Sequence, residues 1–174
     1  MALWPERAKA LAACKTPISA VFAGSGGMRS HLETLAAQLC LSDRVRFVGA
    51  VSREDMLNLY AHAAAVFFGP LDEDYGYVTL EAMLASKPVV TCRDSGGPLE
   101  FVVDGETGYV TDPEPDAIAA ALERLMGDAA LAVRLGRNGR ARYEAMNISW
   151  PHVVETLLQD LPPLPAPRAK DFPL

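Results

Sequence analysis

Cysteine is scarce in this 174-residue chain: three residues, Cys14, Cys40 and Cys92, far apart and odd in number. None stands in a C-x-x-C pair or a zinc spacing, which argues against a disulfide framework and for a reduced, cytosolic setting. Histidine is equally sparse, and His31, His62 and His152 share no metal-ligand spacing. A basic excess is also missing. Sixteen Lys and Arg face 22 Asp and Glu, a formal net charge of −6, which argues against a nucleic-acid partner, since phosphate backbones select basic faces. A small phosphate-bearing ligand stays open, because helix N-termini and backbone amides hold anions without net positive charge. No apolar run approaches the roughly 20 residues needed to span a bilayer. The first residues, "MALWPERAKALAAC", set an acid and two bases among alanines and lack the uninterrupted apolar core of a signal peptide.

What is present is apolar mass in an alternating pattern. Half the residues are hydrophobic, enough for a sizeable core in one domain. Residues 17–24 read as a strand ending in a Gly-rich turn. Met28, Leu32, Leu35 and Leu39 repeat at helical spacing. Residues 44–51 read as a strand, and Ser52 with Asp55 as a capping signal for the helix holding Met56, Leu59 and Tyr60. A strand over 63–70 stopped by Gly-Pro, a helix over 77–86 and a strand over 87–92 follow. Residues 95–112 mix a short helix, an Asp-Gly turn and a short strand. Glu114 and Pro115 open a helix carrying Ile118, Leu122 and Leu125, which Gly127 closes as a C-terminal cap. Helices over about 128–145 and 150–160 complete residues 1–160, and 161–174 form a Pro-rich tail.

Strand–helix alternation predicts an α/β fold, Rossmann-like, three layers, with a mostly parallel sheet. Right-handed crossovers then put a ligand crevice at the carboxyl ends of the strands. Three distinctive loops all follow strands: "AGSGGM", "GPLDEDYG" and "RDSGGPLE". The first fits either a phosphate turn or a plain strand–helix turn; it is neither a Walker A loop nor G-x-G-x-x-G. "SGGPLE" fits a positive-φ turn or an amide nest for an anion or hydroxyl. Cys92 reads as core, and the Arg-rich 134–144 stretch as a solvated helix face.

"DEDYGYVTLE" (72–81) carries the chemistry. Asp72 and Asp74 match a D-x-D pair, which some nucleotide-sugar enzymes use to hold a divalent cation; the plainer reading is a polar loop. A different pairing sets Glu73 in the loop and Glu81 one turn into the next helix, with Gly76 letting the chain turn between them. Exposed amides around Gly76, Tyr77 and Val78 would face the same crevice. Two hydroxyl-accepting carboxylates flanking an anion-binding helix start suit a ligand with polyols at both ends and phosphates between, such as a nucleotide-sugar.

With "EDYGYVTLE", two glutamates with seven residues between them, and with "RVRFVGAVSREDMLNLYAHAAAVFFGP", "LEAMLASKPVVTC", "SGGPLEFVVDGETGYVTD" and "NISW" in order, residues 17–160 resemble the C-terminal, donor-binding domain of group 1 retaining glycosyltransferases of the GT-B fold. The resemblance implies roles. Glu73 would contact the transferred sugar and is the catalytic candidate; Glu81 would bond the donor ribose. Amides near Gly76, Tyr77 and Val78 would hold the diphosphate. Arg46 and Phe47 would border the base, and Gly24 and Gly26 would line the cleft floor. No metal or other cofactor is implied. Two departures accompany it. The resemblance places an acceptor-binding domain before this one, for which 174 residues leave no room, and the usual first strand and the Arg and Lys that neutralise the diphosphate are expected to be lacking; Arg7, Lys9 and Lys15 do not reproduce them. The implied protein is half of a cytoplasmic enzyme, inactive alone, whose acceptor and any membrane-surface contact come through the missing half. The alternatives are a non-catalytic module that kept the fold and a metal-dependent site at Asp72 and Asp74.

Overall fold

A computed structural model of the chain describes residues 4–159. The tail predicted over 161–174 lies outside the described residues. The elements run α1 (Trp4–Ala8), α2 (Ala10–Ala13), β1 (Ala20–Ala23), α3 (Arg29–Gln38), β2 (Val45–Gly49), α4 (Arg53–His62), β3 (Val66–Phe67), α5 (Tyr77–Leu84), β4 (Val89–Cys92), α6 (Pro98–Phe101), β5 (Gly108–Thr111), α7 (Pro115–Gly127), α8 (Ala129–Ala145) and α9 (Trp150–Leu158). All strand pairs are parallel, as the alternation predicts.

Among the described residues the strands form two sheets, β1-β2 and β3-β4-β5, rather than one. β3 holds two residues where the apolar run spans 63–70. Its ends are committed elsewhere: the Ala63 N–H bonds back to the Leu59 and Tyr60 carbonyls as the cap of α4, and Pro70 has no N–H for a ladder. β4 is shortened likewise. Pro88 has no donor, and the Lys87 N–H goes to the Ala82 carbonyl.

β4 is the centre of the larger sheet, with all four residues buried. Its side chains alternate faces. Val90 and Cys92 join a cluster with Leu11, Ile118, Leu122, Leu125 and Leu135, from α2, α7 and α8. Val89 joins a second cluster with Tyr60, Leu80, Met83 and Phe101, from α4, α5 and α6. Helices therefore cover both faces, the three-layer arrangement expected, and Cys92 is core as read. The first cluster also contains Ile18, Ala36 and Val45, so it bridges the two sheets.

Local signals decide most helix ends. Ser52 Oγ accepts from the Asp55 N–H at 3.1 Å and starts α4, as predicted. Gly127 does not act as a C-terminal cap. It is the last residue of α7 and is not in the left-handed region. Asp128, at φ −135°, breaks the helix and caps the next one by accepting from the Leu131 N–H at 2.9 Å. The Arg-rich face of α8 is only partly solvated. Arg140 donates to the Leu84 carbonyl, and Arg142 to the Glu100 and Phe101 carbonyls, so both satisfy the carboxyl ends of α5 and α6. No side chain of α9 is buried, and Trp150 is 82% exposed.

Close packing of α8 on the α5–β4 turn rests on Gly136, where an added Cβ would collide with the Ser86 carbonyl. Alanine would gain up to about 1 kcal/mol of helix propensity, against an overpacking cost of about 1–3 kcal/mol. Gly136→Ala should therefore lower the urea midpoint; a raised midpoint would show that the two elements separate freely.

Candidate functional site

The loops after β3 and β4 are laced together by backbone. The Asp72 N–H donates to the Asp94 carbonyl (2.9 Å), and the Glu73 N–H to the Ser95 carbonyl (3.0 Å). The Gly97 N–H returns to the Glu73 carbonyl at 2.6 Å. Gly96 sits at φ +73°, with no room for a Cβ: it would lie 2.6 Å from the Glu73 oxygen. "SGGPLE" is thus a positive-φ turn whose Gly97 amide is spent on Glu73, so that amide is not part of a ligand nest. The Glu73 side chain is left exposed at the carboxyl ends of the strands.

Gly76 makes the next step possible. It enters α5 at φ +79°, ψ +53°, a conformation in which side chains are strained. A Cβ there would also lie 2.8 Å from Pro98 Cγ. Among the described residues no side chain caps α5, so its first-turn N–H groups at Tyr77 and Val78 are left to solvent or a ligand, at the positive end of the helix dipole. The Tyr77 side chain is 70% exposed beside Tyr75, with ring centroids 5.0 Å apart.

Glu81 lies one turn further along and is exposed. The buried Tyr60 of α4 donates its hydroxyl to Glu81 Oε2 at 2.8 Å. One carboxylate oxygen is fixed in this way, and Oε1 stays available to accept from a hydroxyl. Burial pushes the Tyr60 phenol well above its ordinary value, and the bond to Glu81 and that carboxylate's charge push it the same way. At neutral pH Tyr60 is therefore a permanent donor.

The remaining predicted residues belong to the two-stranded sheet. The Gly24 N–H donates to the Gly49 carbonyl (2.8 Å) with φ +132°, and Gly24 and Gly26 have open space where a Cβ would stand. Arg46, the second residue of β2, is exposed. The Phe47 ring is spent on packing: it stacks on Phe22 at 5.0 Å and lines the apolar space under α3. The structure therefore joins Glu73, Gly76, Tyr77, Val78 and Glu81 through one loop and helix. Gly24 and Gly26 follow the carboxyl end of β1, and Arg46 and Phe47 lie within β2, all in the other sheet. Asp72 and Asp74 belong to no group of three or more candidate metal ligands among the described residues.

Sequence reasoning missed Tyr60, Pro98 and Asp94. In the sequence Tyr60 reads only as an apolar helix position. Its spacing from Met56, on the buried side of α4, was the available sign that its hydroxyl needs a partner.

A family model described as glycosyl transferases group 1 matches residues 6–142, and the chain belongs to that family. It is 34% identical over 136 residues to the alpha-1,3/1,6-mannosyltransferase ALG2 of Dictyostelium discoideum, covering 74% of this chain and 32% of that protein. The structure of Anabaena HepE, solved with UDP and glucose, superposes with a TM-score of 0.76 at 27% identity, over 91% of this chain and 46% of that one. The C-terminal domain of a group 1 protein, LpcC of Francisella tularensis, shares the fold at a TM-score of 0.74 and 24% identity, over 84% of this chain and 80% of that domain. The chain spans about a third of the length of the curated relatives it matches.

Above the ordinary phenol range, near pH 10, the unfolded Tyr60 ionises while the folded one stays protonated. Stability is thus lost as pH rises through that range. In Tyr60→Phe the drop in urea midpoint between pH 8 and pH 10.5 should be smaller than in the wild type. An equal drop would contradict the burial and bonding assigned to this hydroxyl.

Proposed function

We propose that this chain is the donor-binding domain of a retaining glycosyltransferase, one that moves a sugar from a nucleoside diphosphate-sugar to an acceptor. The observation that carries the reading is the single segment in which exposed Glu73 and Glu81 flank the uncapped, left-handed entry to α5 at Gly76. Glu81, oriented by Tyr60, accepts from the ribose hydroxyls. The Tyr77 and Val78 amides hold the diphosphate, and Glu73 accepts from the hydroxyls of the transferred sugar. A structural relative at 27% identity that was solved with UDP and glucose supports the choice of ligand class.

The chemistry asked of the protein is positioning and charge stabilisation. The acceptor oxygen attacks the anomeric carbon on the face from which the diphosphate departs, and a leaving phosphate oxygen takes the acceptor proton. Configuration is retained. The amides at the start of α5 stabilise charge that grows on the departing diphosphate, where one such donor is typically worth about 10²–10³ in rate. Acceptor binding falls to the remainder of the relatives' length, and this chain by itself is expected to bind donor without turning it over. In this reading no metal takes part, and the chain works in the cytoplasm.

Isothermal titration of the chain with UDP, GDP and ADP, each with and without chelator, tests the assignment. One of the three should bind, unaffected by chelator, and Glu81→Ala should weaken it about tenfold, the loss expected of a hydrogen bond to a charged group. Binding that needs a divalent cation would move the site to Asp72 and Asp74. Absence of binding by all three would overturn the reading.

A further inference from the structure

The side chain of Arg7, on α1, is 2% exposed, which is uncommon for arginine. Its acceptors are specific. Nη2 donates to both carboxylate oxygens of Asp94 at 2.7 Å, and Nη1 donates to the carbonyls of Gly69 and Pro70. A buried charge is tolerated when paired and hydrogen-bonded in this way, and the two-point geometry fixes direction as well as distance. The acceptors belong to two loops. Gly69 and Pro70 begin the loop that carries Glu73, and Asp94 belongs to the β4–α6 turn whose carbonyls at Asp94 and Ser95 bind the Asp72 and Glu73 amides.

We infer that Arg7 is a positioning residue for the Glu73 loop: a clamp from the N-terminal helix that holds the β3–α5 loop against the β4–α6 turn. At 2% exposure Arg7 does not reach a ligand, so its influence passes through Asp94, Gly69 and Pro70. Asp94, 31% exposed, is the outer half of the clamp. Lys9 and Lys15 have other contacts. Lys9 pairs with Glu6, and the Lys15 backbone N–H donates to Glu123. The clamp links the docking of α1 to the geometry of the site. As to ligand, it rests on the donor-site reading; as to loop geometry, it stands without it.

The test has two arms on the full chain: amide hydrogen exchange without ligand, and titration with UDP, GDP and ADP. In Arg7→Leu the Asp72, Glu73 and Gly97 amides should exchange about tenfold faster, while α7 and α8 amides stay within about twofold, and affinity for whichever nucleotide binds should fall about tenfold. Asp94→Asn, which keeps shape and one acceptor, should produce the same pattern more weakly. The double variant Arg7→Leu/Asp94→Asn should add little to Arg7→Leu, because both act through one clamp. If Arg7→Leu does not fold, Arg7→Lys and Asp94→Asn carry the test: lysine keeps the charge but loses the two-point geometry, so loop exchange should still rise. A merely structural staple would speed exchange in α7 and α8 as much as in the loops, or leave nucleotide affinity unchanged in the folded variants; either result overturns the inference. If no nucleotide binds the wild type, the donor reading fails and the exchange arm alone decides the clamp.

Discussion

The geometry of this site depends on the backbone exchange between Glu73 and the Ser95–Gly97 turn. The Glu73 N–H and carbonyl are both consumed there, at 3.0 and 2.6 Å, so the chain around Glu73 has little freedom left and its side chain projects from a fixed base. The contact forbids a side chain at Gly96 and, two residues later, brings Pro98 against Gly76. The entry angle of α5, and with it the placement of its free N–H groups and of Glu81, follows from that packing. A loop carrying three acids in a row would otherwise be expected to wander. Here it is held like a short extra strand, bridged to Gly96 in parallel.

From that base the site is assembled by elements distant in sequence. α4 contributes the Tyr60 hydroxyl that fixes one oxygen of Glu81. β4 contributes the buried strand from which the Ser95 turn departs. α8 contributes Arg140 and Arg142 to the carbonyl ends of α5 and α6, and α1 contributes the arginine that reaches both loops. Two apolar clusters on opposite faces of β4 keep these elements in register. The uncapped start of α5 leaves donors unspent, and it lies between the two exposed glutamates.

What the sequence disclosed was local. Helical periods located α3, α4 and α7; Ser52 with Asp55 marked a true cap; the stretch over 87–92 marked the strand that the structure shortens to Val89–Cys92. The Glu73–Glu81 spacing pointed to the loop and helix that the structure joins at Gly76, where a Gly between a polar loop and an apolar helix is itself a local signal. What stayed hidden depends on contacts between distant residues. Nothing near Tyr60 names Glu81, and nothing near Arg7 names Asp94, 87 residues away. Arg7 did carry a sign: it lies three and four positions before the buried Ala10 and Leu11, on the apolar side of its helical stretch. The short β3 and the division into two sheets were hidden for a related reason, since apolar composition reports burial and not which backbone groups are free to pair. Gly127 shows the opposite error, a local rule overridden by the stronger cap at Asp128.

The central claim is that a nucleoside diphosphate sits at the start of α5. Its most direct test is an amide NMR map of the chain during nucleotide titration. The account predicts that the largest shifts fall on Gly76, Tyr77 and Val78, with Glu81 and Tyr60 following at the same midpoint. Shifts confined to α8 or α9, or a saturating titration that leaves Gly76–Val78 unmoved, would contradict it.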